Sequence, residues 1–278
     1  MVSTNDVVLY SASGLIGCGI VSNAAASLLF TNSKSISSIS RENGLIWAPR
    51  NFLGAGDAGN SPIYGIMWGF VYFTSALSVV VTLIYSAMQN LNIQYDSEAD
   101  AFFNSSALSC SAFLVAAVWG RIFSINKKWS FVVSSCLLLL AALFAVTAAV
   151  VNKAFLVTEL KAYQVINCVA ISFFAGWICV AASLGVGITT RVYNRGIGKH
   201  VEEDDTMFSV FPLVLSILLS IVSILFAIPI LPLPLFMTTF FMKKFRKWYV
   251  WGTALVSGVS ICVSVGMIFL YRSSGVFW

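Results

Sequence analysis

FFAGWICVAASLG, Phe173 to Gly185, carries no charge and sets one large tryptophan among small residues. Trp177, Ala181 and Gly185 follow at steps of four, which places them along one face of a helix. The apolar run around them extends over 164–190. That is longer than the roughly 20 apolar residues needed to cross a hydrocarbon core. The small row in line with Trp177 leaves either a slot for a ligand or a groove for a neighbouring helix.

The whole chain has the same character. Of 278 residues, 59% are hydrophobic and 10% are charged, whereas a soluble domain carries about 25% charge. Too little polar surface exists to cover a globule in water, so the expected solvent is lipid. A net charge of +5 is then a matter of loops on one side and gives no reason to expect a nucleic-acid partner. The six cysteines sit in apolar runs without a CxxC pair. They read as small buried hydrophobes, not as a disulfide framework or metal site.

Seven apolar runs have spanning length: 7–30, 62–88, 105–124, 130–151, 164–190, 207–231 and 248–271. The expected fold is therefore all-α, a multi-pass transmembrane bundle of about seven spans. Residues 1–190 form a five-helix unit and 191–278 add two helices. The first run is dense in Gly, Ala and Ser. Pairs such as Ser13 and Gly17, or Ser22 and Ala26, let helices approach closely, so its small face is expected inside the bundle, with Gly17 at a contact.

Positive charge orients the bundle. With seven spans, ten Lys and Arg fall on one side and six on the other. Four of those six form an interfacial cluster, Lys243, Lys244, Arg246 and Lys247. The uncharged run 207–242 is too long for one crossing, at about 54 Å, and too short for two. Pro229, Pro232 and Pro234 break it. One solution is a single span followed by an interfacial helix, which gives seven spans. The other is a hairpin of two crossings that returns the cluster to the basic side, which makes eight spans and an asymmetry of 13 to 3. Two full crossings need about 40 residues, so the expectation stays at seven.

No Asp, Glu, Lys or His lies well inside a run, which weakens an ion pump or proton-coupled transporter. GxxxxGK[ST], HExxH and GxSxG are absent from the sequence, so the expected protein is not an enzyme. Aromatic residues make up 14% of the chain. Trp68 with Tyr72 one turn later, Trp119, and Trp177 with Ala181 are the candidate lining of an apolar cavity between helices.

These residues also resemble a known family. GLIWAP at 44–49, then IMWGFVYF at 66–73, then GWICVA at 176–181 are similar, in order and spacing, to segments of the translocator proteins and tryptophan-rich sensory proteins. The resemblance covers roughly 7–190 and is to the longer variety with extra C-terminal helices. It differs at Gly185, where the family has Asn, and in the absence of an amide from the middle of the third helix, SAFLVAAVW. It implies a five-helix bundle with a pocket for a tetrapyrrole, sterol or lipid, lined by Trp68, Tyr72, Trp177 and Ala181. Sensing or transport of that ligand is the expected function. The other expectation is an accessory subunit of a respiratory or photosynthetic assembly that has lost its ligand. Expected partners are membrane lipids and either other membrane proteins or further copies of the chain. Mitochondrial and plastid membranes are among the candidate locations.

Overall fold

Long apolar segments in lipid satisfy their backbone groups internally, and a helix does this within one segment. The computed structural model describes residues 4–29, 39, 62–88, 97–152, 162–197, 206–241 and 248–274. Among them are helices and no strand: α1 Thr4–Leu29, α2 Pro62–Met88, α3 Ser97–Phe123, α4 Lys128–Asn152, α5 Ala162–Arg195, α6 Thr206–Leu225, α7 Leu233–Phe241 and α8 Trp248–Ser274. The GLIWAP motif, His200, the acidic run 202–205 and the cluster 243–247 lie outside the described residues.

Six of these helices, α1 to α5 and α8, are long and apolar enough to cross a membrane. An integral, multi-pass membrane protein fits this architecture.

The first five helices close into a ring. α1 packs on α2 and α3, α3 on α4, α4 on α5, and α5 on α2. The order around the ring is thus 1-2-5-4-3. Paired residues fix the directions. Asn23 meets Tyr72 near one end of the α1–α2 pair. On the α2–α5 pair Trp68 meets Trp177 and Tyr85 meets Tyr163, so the two are antiparallel. Gly19 lies on the Cys110 Cα and Asn23, one turn later, bonds the Phe113 carbonyl, so α1 and α3 run in parallel. The α3–α4 link is tight. Asn126 takes a left-handed φ of 53° there, and its N–H bonds the Phe123 carbonyl at 3.2 Å.

Apolar side chains gain little by leaving lipid for one another, so close van der Waals contact must hold these helices together. The contact on α1 is at Gly19, whose added Cβ would lie 3.1 Å from the Cys110 Cα. This corrects the expectation for Gly17, around which nothing lies within 4 Å. Ser13 is buried as expected. Of the cysteines, Cys110, Cys168 and Cys179 are buried, while Cys18, Cys136 and Cys262 face outward.

α5 is the shared wall of the molecule. It also packs on α6 and α7, and every residue from 171 to 180 is buried. A helix that is apolar all round is one with neighbours on every side. It continues past the expected end at 190 to Arg195, so Arg191 is a buried helical residue, not a loop residue.

The C-terminal unit departs from two plain spans. Gly252 faces Leu213, the Ser220 hydroxyl donates to the Val256 carbonyl at 3.4 Å, and Ser223 meets Ser264 at 2.8 Å. Both sets of numbers rise together, so α6 and α8 run in parallel. The chain therefore returns between them. α6 ends in a left-handed cap: Ala227 has φ 51°, its N–H bonds the Ile224 carbonyl, and the Ile228 N–H reaches back to Ser223 at 2.8 Å. This is a Schellman arrangement with alanine in the position that glycine usually takes. Pro232 and Pro234 then open α7. Lacking N–H groups, they reduce the unsatisfied donors that a buried helix start would otherwise expose. The turn packs on α5, where a Cβ on Gly176 would run into the Leu231 carbonyl oxygen.

The run expected as a span at 207–231 is thus the outward arm of a hairpin. Its spanning-type apolar stretch is only Phe211–Leu225. Because α6 and α8 start at one end, that end is the one where α1, α3 and α5 finish.

Candidate functional site

Trp68 and Tyr72 are one turn apart on α2 and share a face. Their rings stack with centroids 5.6 Å apart. Across the α2–α5 interface, Trp68 meets Trp177 edge to face at 6.5 Å and 88°, and Phe174 at 6.4 Å. Such offset and edge-on arrangements are favourable ring geometries. Trp177 is 1% exposed, while Trp68 and Tyr72 are half-buried.

Phe113 of α3 lies flat on Phe174 at 4.0 Å and 6°. α3 and α5 are not neighbours in the ring, so this stack bridges its interior and forms the floor of the aromatic corner. The Tyr72 hydroxyl donates to the Asn23 Oδ1, and the Asn23 Nδ2 donates to the Phe113 carbonyl at 3.0 Å. This buried amide ties α1, α2 and α3 together beside the rings.

The sequence-derived residues are therefore brought together in part. Trp68, Tyr72 and Trp177 form one contiguous cluster. Ala181 is half-buried one turn beyond Trp177 and packs on the main core. Trp119 is elsewhere: its ring partner is Phe123 on its own helix, at 5.7 Å. It lies six residues after Phe113, off the face that Phe113 turns inward.

The small row also has a local explanation. A Cβ on Gly185 would lie 3.0 Å from Leu138 Cδ1 and 3.3 Å from Ser135 Oγ, so this end of the row receives α4. Nearby, Ser135 and Thr189 share a 2.7 Å hydroxyl contact, and Thr189 donates to the Phe131 carbonyl.

Sequence reasoning missed Asn23 and Phe174. Asn23 places an amide beside the rings from α1, whereas the middle of α3 carries none. Its signal was an isolated carboxamide in a Gly/Ala/Ser-rich span. Phe174 was visible as the residue three before Trp177, on the same helix face.

The corner thus sets apolar ring faces beside one hydrogen-bonded hydroxyl–amide pair. Among the described residues no group of three or more His, Cys, Asp or Glu is placed to hold a metal ion. No family model, curated protein or solved structure matches this chain.

Proposed function

We propose that the chain is a non-enzymatic integral membrane protein that binds a hydrophobic ligand at the aromatic corner formed by Trp68, Tyr72, Phe174 and Trp177. The ligand is of the tetrapyrrole, sterol or lipid kind, held for sensing or transport. One observation carries this reading: the half-buried Trp68 ring is backed on one side by Tyr72 and met edge-on by the fully buried Trp177. Ligand sites are mostly aromatic and apolar with a few placed polar groups, and the Tyr72–Asn23 pair supplies such a group.

The test is a fluorescence titration of the purified full chain with protoporphyrin, repeated for Trp68→Ala and Ala181→Leu. The expected result is saturable quenching in the wild type, weakened at least tenfold by Trp68→Ala. Quenching that rises linearly, and identically in all three proteins, would be partition into detergent and would end this reading.

A further inference from the structure

On the far side of the Phe113–Phe174 bridge the interior of the ring turns polar. α3 and α5 touch across the ring a second time, where Phe102 meets Tyr163 edge-on at 5.4 Å. Between the two bridges, α3 presents Phe102, Ser106, Ser109 and Phe113, at steps of four, three and four. α5 presents Tyr163, Asn167, Ala170 and Phe174 at the same steps. Each set shares one helix face. Both faces therefore read aromatic at the ends and small or polar in the middle, over about 16 Å of helix.

The buried apolar side chains divide at the same place. One cluster holds Phe113, Phe174 and Trp177, and the other holds Leu9, Ala12, Ile16, Phe102 and Tyr163. Ser78 of α2 joins this layer, and its hydroxyl donates to the Asn167 Oδ1 at 2.9 Å. Ser13 of α1 lies between Leu9 and Ile16.

Three polar atoms in this layer are buried with no hydrogen-bond partner among the described residues: Asn167 Nδ2, Ser109 Oγ and Ser13 Oγ. Their residues are 0%, 1% and 3% exposed. A serine in a helix can satisfy itself on the preceding turn, as Ser106 does on the Phe102 carbonyl at 2.8 Å. Ser109 and Ser13 do not, and they come from different helices. Buried polar groups are overwhelmingly hydrogen-bonded, and hydrocarbon chains cannot supply the partner. Between the bridges, α1 to α5 carry no Asp, Glu, Lys, Arg or His, so the missing partner is uncharged.

We propose that this layer is a second, separate binding site, for a neutral oxygen that accepts from Asn167 Nδ2 and exchanges hydrogen bonds with Ser109 and Ser13. That oxygen belongs either to water or to the hydroxyl end of an uncharged amphiphile. The site does not depend on the aromatic corner, from which the Phe113–Phe174 stack divides it.

The test is an experimental density map of the full chain at a resolution that shows ordered waters, for the wild type, Asn167→Leu and Ser109→Ala. It is paired with thermal melts in dodecan-1-ol, dodecane or dodecanoate. A peak within hydrogen-bond distance of Asn167 Nδ2 is expected in the wild type. It should vanish in Asn167→Leu and weaken or shift in Ser109→Ala, which keeps the site legible if the first variant fails to fold. A discrete peak, with dodecanol acting alike on wild type and variants, identifies water. A peak continuous with chain density identifies the amphiphile. In that case dodecanol should raise the wild-type melting temperature by several degrees more than dodecane or dodecanoate, and the gain should be lost in the variants. An empty layer, with the Asn167 amide and Ser109 hydroxyl turned onto protein groups, would overturn the proposal.

Discussion

α5 and α8 are equally apolar by composition, yet 78% of the apolar stretch of α5 is buried and only 22% of that of α8. In water such a difference would show in the hydrophobic pattern. In lipid it does not, because the solvent is as apolar as a core. What separates the two helices is where the small and polar residues fall. α5 meets neighbours on every side and fits them through Gly176 and Gly185. α8 turns Thr253, Ser257, Ser260 and Ser264 inward and Trp251, Leu255, Val259 and Phe269 outward. Its buried face is the polar one, an arrangement opposite to that of a surface helix in a soluble protein.

The contrast breaks most easily at Gly176. A side chain there meets the Leu231 backbone carbonyl, which cannot rotate away. Gly176→Leu should cost about 3 kcal/mol, at the upper end for overpacking, measured as unfolding in detergent. The matched change on α8, Gly266→Leu, enters open space and should stay within about 0.5 kcal/mol of wild type. Equal effects of the two would abolish the distinction between wall and periphery.

A smaller effect sharpens the hairpin that joins them. Ala227 holds a left-handed φ with its Cβ buried. Ala227→Gly relieves that strain and should raise stability by about 0.5–1 kcal/mol. A clear loss of stability would mean that α6 does not end in this cap. Smallest is the seam of α8. Ser264→Ala removes the hydroxyl that meets Ser223 and should cost about 0.6 kcal/mol, the average for a hydrogen bond between membrane helices. Ser273→Ala, exposed and bonded only to its own helix, is the control and should cost nothing measurable.

Much of the fold was legible in the sequence because apolar length alone marks a spanning helix. Six of the seven expected runs coincide with long apolar helices, and the prolines at 229, 232 and 234 marked the break in the seventh. The direction of the chain after that break was not legible. The run 207–242 has too few residues for two full crossings, and the hairpin resolves this by not crossing fully. Helix rotation was equally hidden. Gly17 and Gly19 are both small, and only packing against Cys110 and Phe113 tells which one faces α3. Rotation also parts Trp119 from Trp68 and Trp177, since tryptophan content says nothing about facing. The inward hydroxyl residues of α8 were legible in their spacing, Thr253, Ser257, Ser260 and Ser264, once polar residues are taken as the buried side.

The returning hairpin carries the account of how α5 comes to be enclosed, and sided labelling tests it directly. In a chain whose native cysteines are replaced, single cysteines are introduced at Lys199, Lys244 and Ser274 and labelled with an impermeant thiol reagent in sealed vesicles. The account predicts that 199 and 244 label from the same side and 274 from the other, which also gathers 13 of the 16 Lys and Arg on one side, as a strong charge bias requires. Labelling of 199 and 244 from opposite sides would make α6 and the segment after it a full crossing, and would contradict the account.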